Sequence, residues 1–205
     1  MKTILIVDCC IRKDASRTRK ILHAFLSGLS GYAVETVDLC AMPLRPLCGS
    51  FFEERQLLLQ KRALSHPRFQ LAHQFAKADR IVMAAPFYDL SFPALLKIYI
   101  ENISVDGITF QTDTHGLSGL CKAKELIFIT TRGGIYHGHE DEQATPYLKA
   151  LCRFFNIPQF CMFDADGMDI IGYDHESALH KASCQAFAYA QKLAHEEDIQ
   201  VQHTK

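Results

Sequence analysis

Short unbroken apolar runs alternate along the chain with longer segments whose apolar residues recur every three or four positions. Thr3–Asp8 (TILIVD) is the first such run, and its lack of alternation predicts a strand buried on both faces, as in parallel sheets. In Ser16–Leu29 the residues Ile21, Leu22, Phe25 and Leu29 share one helical face, with Ser16 placed to cap the N-terminus. Tyr32–Leu39 (YAVETVDL) alternates and predicts a second strand. Residues 41–66 read as irregular to helical, and Arg68–Lys77 as the rest of a crossover helix. Arg80–Ala85 (RIVMAA), closed by Pro86, predicts the third strand, and Pro93 suits the first turn of a helix running to about Ile103. Glu125–Thr131 (ELIFITT) predicts the fourth strand. A helix over Gln143–Phe155, a fifth strand over Gln159–Asp164 and a closing helix over Asp174–His195, capped by Asp174, complete the order.

Five strands alternating with helices imply right-handed crossovers and therefore an α/β fold: a doubly wound, five-stranded parallel sheet with helices on both faces. The length of 205 residues fits one domain over residues 1–205, and no repeat or Gly/Ser linker divides it. Ligands of such sheets bind outside the carboxyl ends of the strands, which directs attention to loops 9–18, 86–91 and 131–140. A net charge of −1 leaves no electrostatic footprint for nucleic acid or a membrane surface. The start, MKTILIVDCC, resembles an export signal only until Asp8, where the apolar run stops without a small-residue cleavage site. With no apolar stretch of about 18 residues, the expected location is cytoplasmic. The eight cysteines show no CxxC and are expected to be reduced and buried, with Cys9 and Cys10 set apart by their place at the end of the first strand.

The first loop, Cys9-Cys10-Ile11-Arg12-Lys13-Asp14-Ala15-Ser16-Arg17-Thr18, joins a strand to a helix N-terminus, where free N–H groups and the helix dipole receive anions. Two hydroxyls and Arg17 add donors and charge suited to a phosphate monoester. It contains no glycine, so neither a dinucleotide fingerprint nor a Walker loop is present. A capped helix with solvated arginines accounts for it equally well. The second loop is Ala84-Ala85-Pro86-Phe87-Tyr88-Asp89-Leu90 and the third Thr130-Thr131-Arg132-Gly133-Gly134-Ile135-Tyr136-His137. Paired glycines after a buried strand let backbone approach a flat ligand, and aromatics opposite can cover its faces, although the pair also suits a plain turn.

Together these loops resemble the FMN-dependent NADH:azoreductases, a branch of the flavodoxin-like NAD(P)H:quinone reductases. Four segments carry the resemblance: the strand followed by Ser16-x-Thr18, AAPFYDLSFPALLKIYIENISVDGITF at 84–110, ITTRGGI at 129–135 and TPYL at 145–148. It implies a flavodoxin-like strand order 2-1-3-4-5, bound FMN, NAD(P)H as co-substrate, a quinone or azo acceptor, and a homodimer with flavin sites at the interface. It also implies parts for single residues. The phosphate falls to Cys10, Ser16, Arg17 and Thr18. One flank of the flavin falls to Pro86, Phe87, Tyr88, Asp89 and Leu90, and the far side to Thr131, Arg132, Gly133 and Gly134. Phe154-Phe155 and the 112–120 loop correspond to regions that reach the partner's site in relatives. Cys10 stands where the family has serine, Asp89 where it has asparagine, Arg17 where glutamine is common, and Thr112 where a relative has tyrosine. Tyr136 stands where the family's loop has a histidine, with His137 and His139 just beyond.

The expected cycle is ping-pong, with NAD(P)H and then the acceptor using one slot on the flavin. Tyr136, with His137 or His139, is the candidate to stabilise charge or donate a proton. His137-x-His139-Glu140 is a poor metal site, because this segment reads as loop and no further ligands cluster nearby. Of the rival readings, a tyrosine phosphatase of low molecular weight needs a Cys-x5-Arg loop, but six residues separate Cys10 from Arg17 and seven separate Cys9 from Arg17. A thiolate at Cys10, reactive toward oxidants, stays plausible at a helix N-terminus. A non-enzymatic flavodoxin-type electron carrier or redox-sensing binding protein is the other alternative, against which the near-neutral charge counts.

Overall fold

The computed structural model describes residues 1–114 and 116–202, apart from the side chains of 196–202. The five apolar runs form one parallel sheet: β1 (Lys2–Asp8), β2 (Tyr32–Asp38), β3 (Arg80–Ala84), β6 (Glu125–Thr131) and β7 (Gln159–Ala165). Their order is β2-β1-β3-β6-β7, the flavodoxin-like order once the small hairpin described below is set aside. Chain direction reverses its walk across the sheet between β1 and β3, so that is the switch point.

The unbroken apolar runs find their reason in two cores, one on each face. Successive side chains of a strand point to opposite sides. Leu5, Val7, Ile81, Met83, Leu126 and Phe128 therefore pack against α3 (Gln70–Lys77), α4 (Ala94–Ile103) and α5 (Ala144–Phe155), through Phe75, Tyr99, Ile103, Leu148 and Phe155. Ile4, Ile6, Val82, Ala84, Ile127 and Ile129 face the other way, toward α1 (Arg17–Gly28) and α6 (His175–Gln202). Those two helices approach closely because Ala182, Ala186 and Ala190 recur at one-turn spacing; a Cβ on Gly28 would lie 2.5 Å from the Phe187 carbonyl oxygen.

Local signals set the helix ends. The Ser16 side chain accepts the Arg19 N–H at the start of α1, and Asp174 Oδ1 accepts the Ser177 N–H at 3.0 Å at the start of α6. Pro93 is the N-cap residue of α4 rather than part of its first turn. The helical part of 41–66 is α2 (Gly49–Gln60), and Pro67–Phe69 is a 3₁₀ turn leading into α3. The 112–120 segment is no plain loop: β4 (Phe110–Asp113) pairs antiparallel with β5 (Gly116–Gly119). Among the described residues no helix is long and apolar enough to cross a membrane.

Candidate functional site

The carboxyl ends of β1, β3 and β6 are tied to one another beyond the strands themselves. The Cys9 N–H donates to the Ala84 carbonyl at 2.8 Å, Ala85 to Ile129 at 3.0 Å and Phe87 to Thr131 at 3.0 Å. The sheet ladder thus continues into the loops and fixes their mutual positions. Between them lies a narrow cleft of about 80 Å³, lined by Arg12, Ser16, Arg17, Pro86, Phe87, Tyr88, Thr131, Arg132, Gly133, Met168 and Asp169. All three loops singled out in the sequence meet there. Met168 and Asp169, from the loop after β7, form a fourth wall that the sequence did not announce.

One end of the cleft offers groups able to receive an anion. The N–H groups of Arg17 and Thr18 lie in the first turn of α1, which has no carbonyl one turn earlier to bond. Ser16, Arg17 and Arg12 line the same part of the cleft. Asp8 shapes the approach: Oδ1 accepts the Cys10 N–H at 2.8 Å, and Oδ2 accepts Arg19 Nη2 at 2.6 Å. Burial works against the Arg19 charge, but Asp8 overcomes it and raises the guanidinium's pKa.

The other end is apolar. Tyr88 and Ser91 exchange both backbone hydrogen bonds at 2.9 Å, and the two residues between them have φ of 48° at Asp89 and 66° at Leu90. Positive φ at both central positions is the two-residue hairpin turn that ordinarily takes Asn-Gly. Aspartate tolerates that conformation and leucine does not, so strain is held beside the cleft. Phe87 leans on Tyr136 with ring centroids 4.9 Å apart.

Arg132 differs from expectation. Its side chain is fully buried and bonded to Asp164 and, at 2.8 Å, to Asp166. Desolvation works against its charge, and the two carboxylates overcome it and raise its pKa. Its guanidinium therefore faces the end of β7 instead of a ligand. The knot also places the next residues, because Asp166 Oδ2 accepts the N–H groups of both Tyr136 and His137 at 2.7 Å, and Asp164 holds His137 Nδ1 at 2.8 Å. Tyr136 is thereby turned toward Phe87. His137 lines a separate cavity of about 680 Å³ with Asp164, Tyr173, Ser177 and Lys181. The larger cavity lies away from the three-loop junction, so the narrow cleft is the candidate site.

A flavodoxin-like fold family model matches residues 2–190. An "FMN-dependent NADH:quinone oxidoreductase 2" of Clostridium acetobutylicum is 40% identical over 187 residues, spanning 87% of this chain and 93% of its own length. The chain belongs to this flavodoxin-like quinone reductase and azoreductase family. A second relative of that name, from Clostridium perfringens, is 36% identical over 94% of this chain and its own entire length. With another C. perfringens protein, an FMN-dependent NADH:quinone oxidoreductase, the match is 39% over 60% of this chain and 62% of the relative. An FMN-dependent NADH-azoreductase from Bacillus anthracis, solved in complex with FMN, superposes with a TM-score of 0.81 over 95% of this chain and 100% of its own, at 23% identity.

At several positions the side chains are engaged otherwise than the resemblance implies. Cys10 is fully buried, with its N–H given to Asp8 and its thiol 3.8 Å from the Ala84 carbonyl, so it offers no donor to a phosphate. Burial and then Asp8 push its pKa up, and burial followed by Cys40 pushes Cys9 up to about 12, which removes the reactive thiolate expected there. The Thr18 hydroxyl is buried against Thr131 Oγ1 at 2.7 Å and leaves only its N–H for an anion. Phe155 is fully buried in its own chain's core. Gly133 and Gly134 approach their own chain: a Cβ on Gly133 would lie 2.6 Å from Asp169 Oδ2. Sequence reasoning missed Asp8, Asp166 and Asp169. A carboxylate at the end of an apolar strand, or in the loop just after it, is too common to stand out.

Proposed function

We propose that this protein is an FMN-dependent NAD(P)H oxidoreductase that reduces quinones, azo compounds or both, with residues 1–205 forming one flavin-binding domain. When bound, FMN supplies the two-electron relay between NAD(P)H and the acceptor in a ping-pong cycle. The observation that carries the reading is the two-ended cleft, with N–H groups and guanidinium at one end and aromatic side chains at the other. Ser16, the Arg17 and Thr18 N–H groups and the arginine side chains would take the phosphate. Pro86, Phe87, Tyr88 and the strained turn would flank the ring system, opposite Thr131 and the Gly133 backbone. Tyr136, whose N–H is held by Asp166 and whose ring lies against Phe87, would give a proton to the acceptor. His137 lines the neighbouring cavity, which makes Tyr136 the better candidate for that part.

A visible spectrum of the purified protein and NADH or NADPH oxidation with a quinone supplied test this together. Yellow protein that turns over is expected. Yellow protein without turnover would make it an electron carrier, and protein that neither carries nor binds FMN would end the flavin reading. Tyr136→Phe with unchanged turnover would remove Tyr136 from the mechanism. The same reading includes a homodimer, for which the β4–β5 hairpin offers Leu117, 51% exposed, and Leu120. Sedimentation showing a monomer would exclude it. The compartment implied is the cytoplasm, where NAD(P)H is held.

A further inference from the structure

The anion seat of the cleft already holds a carboxylate of the chain's own. Arg17 Nη1 and Asp169 Oδ1 are 2.8 Å apart, and the Asp169 N–H donates to the Gly133 carbonyl at 3.0 Å. Asp169 thus stands across the mouth between the first and third loops, with its other oxygen against Gly133. Ligand sites generally run from about 300 Å³ upward, and this cleft of about 80 Å³, with both of these side chains in its lining, is narrower than that. Arg12, the second guanidinium of the lining, has no carboxylate on it among the described residues.

We infer that Asp169 sets the affinity and selectivity of the phosphate seat, acting as a tethered anion that an incoming phosphate monoester must displace from Arg17. This rests on the flavin reading for the identity of the ligand, but not for the existence of the seat. Side-chain exposure of 35% at Arg17 and 73% at Asp169 makes the contact weak enough to exchange. The carboxylate nevertheless repels a phosphate in the same place. Riboflavin, which shares the ring system and lacks the phosphate, should not feel it.

The experiment titrates FMN and riboflavin into flavin-free protein by fluorescence quenching, for wild type, Asp169→Asn and Asp169→Asn with Arg17→Gln. Asparagine keeps the shape and removes the charge. Asp169→Asn is expected to tighten FMN about fivefold, the most that an exposed ion pair is worth, with riboflavin within about twofold and the gain absent without Arg17. A gain of affinity is not what damage to the fold produces. Equal changes for both flavins, or no tightening of FMN, would overturn the proposal. If wild type binds neither flavin, the flavin reading fails, and inorganic phosphate then decides. A larger phosphate-induced rise in melting temperature for Asp169→Asn than for wild type supports the tethered anion, and an equal rise overturns it.

Discussion

Replacing Arg132 by methionine separates two parts this residue could play. If its guanidinium served a ligand, removing it would leave the unliganded protein almost as stable as before. In the structure it is fully buried between Asp164 and Asp166, which are themselves only 15% and 11% exposed. Methionine fills much of the space but leaves two carboxylates without their shared cation. Removing one partner of a buried ion pair costs about 3–5 kcal/mol, mostly through the charge left behind. Here the lower end applies, because His137 still contacts Asp164 and two N–H groups still serve Asp166. With a urea m-value of about 2–3 kcal/mol per molar for a chain of this size, a loss of about 3 kcal/mol moves the unfolding midpoint down by about 1 M. Urea denaturation of flavin-free protein, followed by circular dichroism, measures it. Adding Asp164→Asn and Asp166→Asn should restore part of the loss by removing the unpaired charges. A midpoint shift under about 0.3 M in flavin-free Arg132→Met would refute the structural role.

Three further outcomes follow from single features of the fold. Asp89 is exposed and its φ is 48°, so Asp89→Val should lose about 1–2 kcal/mol by urea denaturation, the cost of a side chain forced into left-handed backbone, while Asp89→Asn should be close to neutral. Burial opposes the Asp79 charge, but Lys122 at 2.7 Å and the Thr3 N–H at 2.8 Å win and lower its pKa. Its stabilising contribution is therefore complete above the ordinary carboxylate range and lost as pH falls through the lowered folded value, and Asp79→Asn should flatten that acid limb of a stability-against-pH curve. A thiol reagent on native protein should modify exposed Cys48 and Cys184 first, with Cys9 and Cys10 reacting only on unfolding; mass spectrometry showing early labelling of Cys10 would contradict its burial.

The sequence by itself determined the layering of this protein. Runs such as ILIV at 4–7 and LIFI at 126–129 have no polar side, so they had to become central strands covered on both faces, and the helical periodicities between them supplied the covers. The caps at Ser16 and Asp174 were legible for the same reason: each depends on a side chain and a backbone N–H three residues away. Topology then brought loops 9–18, 86–91 and 131–140 to one edge, which the order of strands dictates. What the sequence left open was the direction of individual side chains within those loops. Arg132 reads as a ligand contact beside two glycines, yet it turns away because Asp164 and Asp166, more than 30 residues later, are brought beneath it by the pairing of β6 with β7. Tyr136 and His137 share one carboxylate through their N–H groups while their side chains part, one toward Phe87 and one toward Asp164, and Asp169 closes on Arg17 across 152 positions of chain. Burial is a property of neighbouring residues and can be read locally. The partners of a charge are chosen by proximity in three dimensions, and only the tertiary structure supplies that.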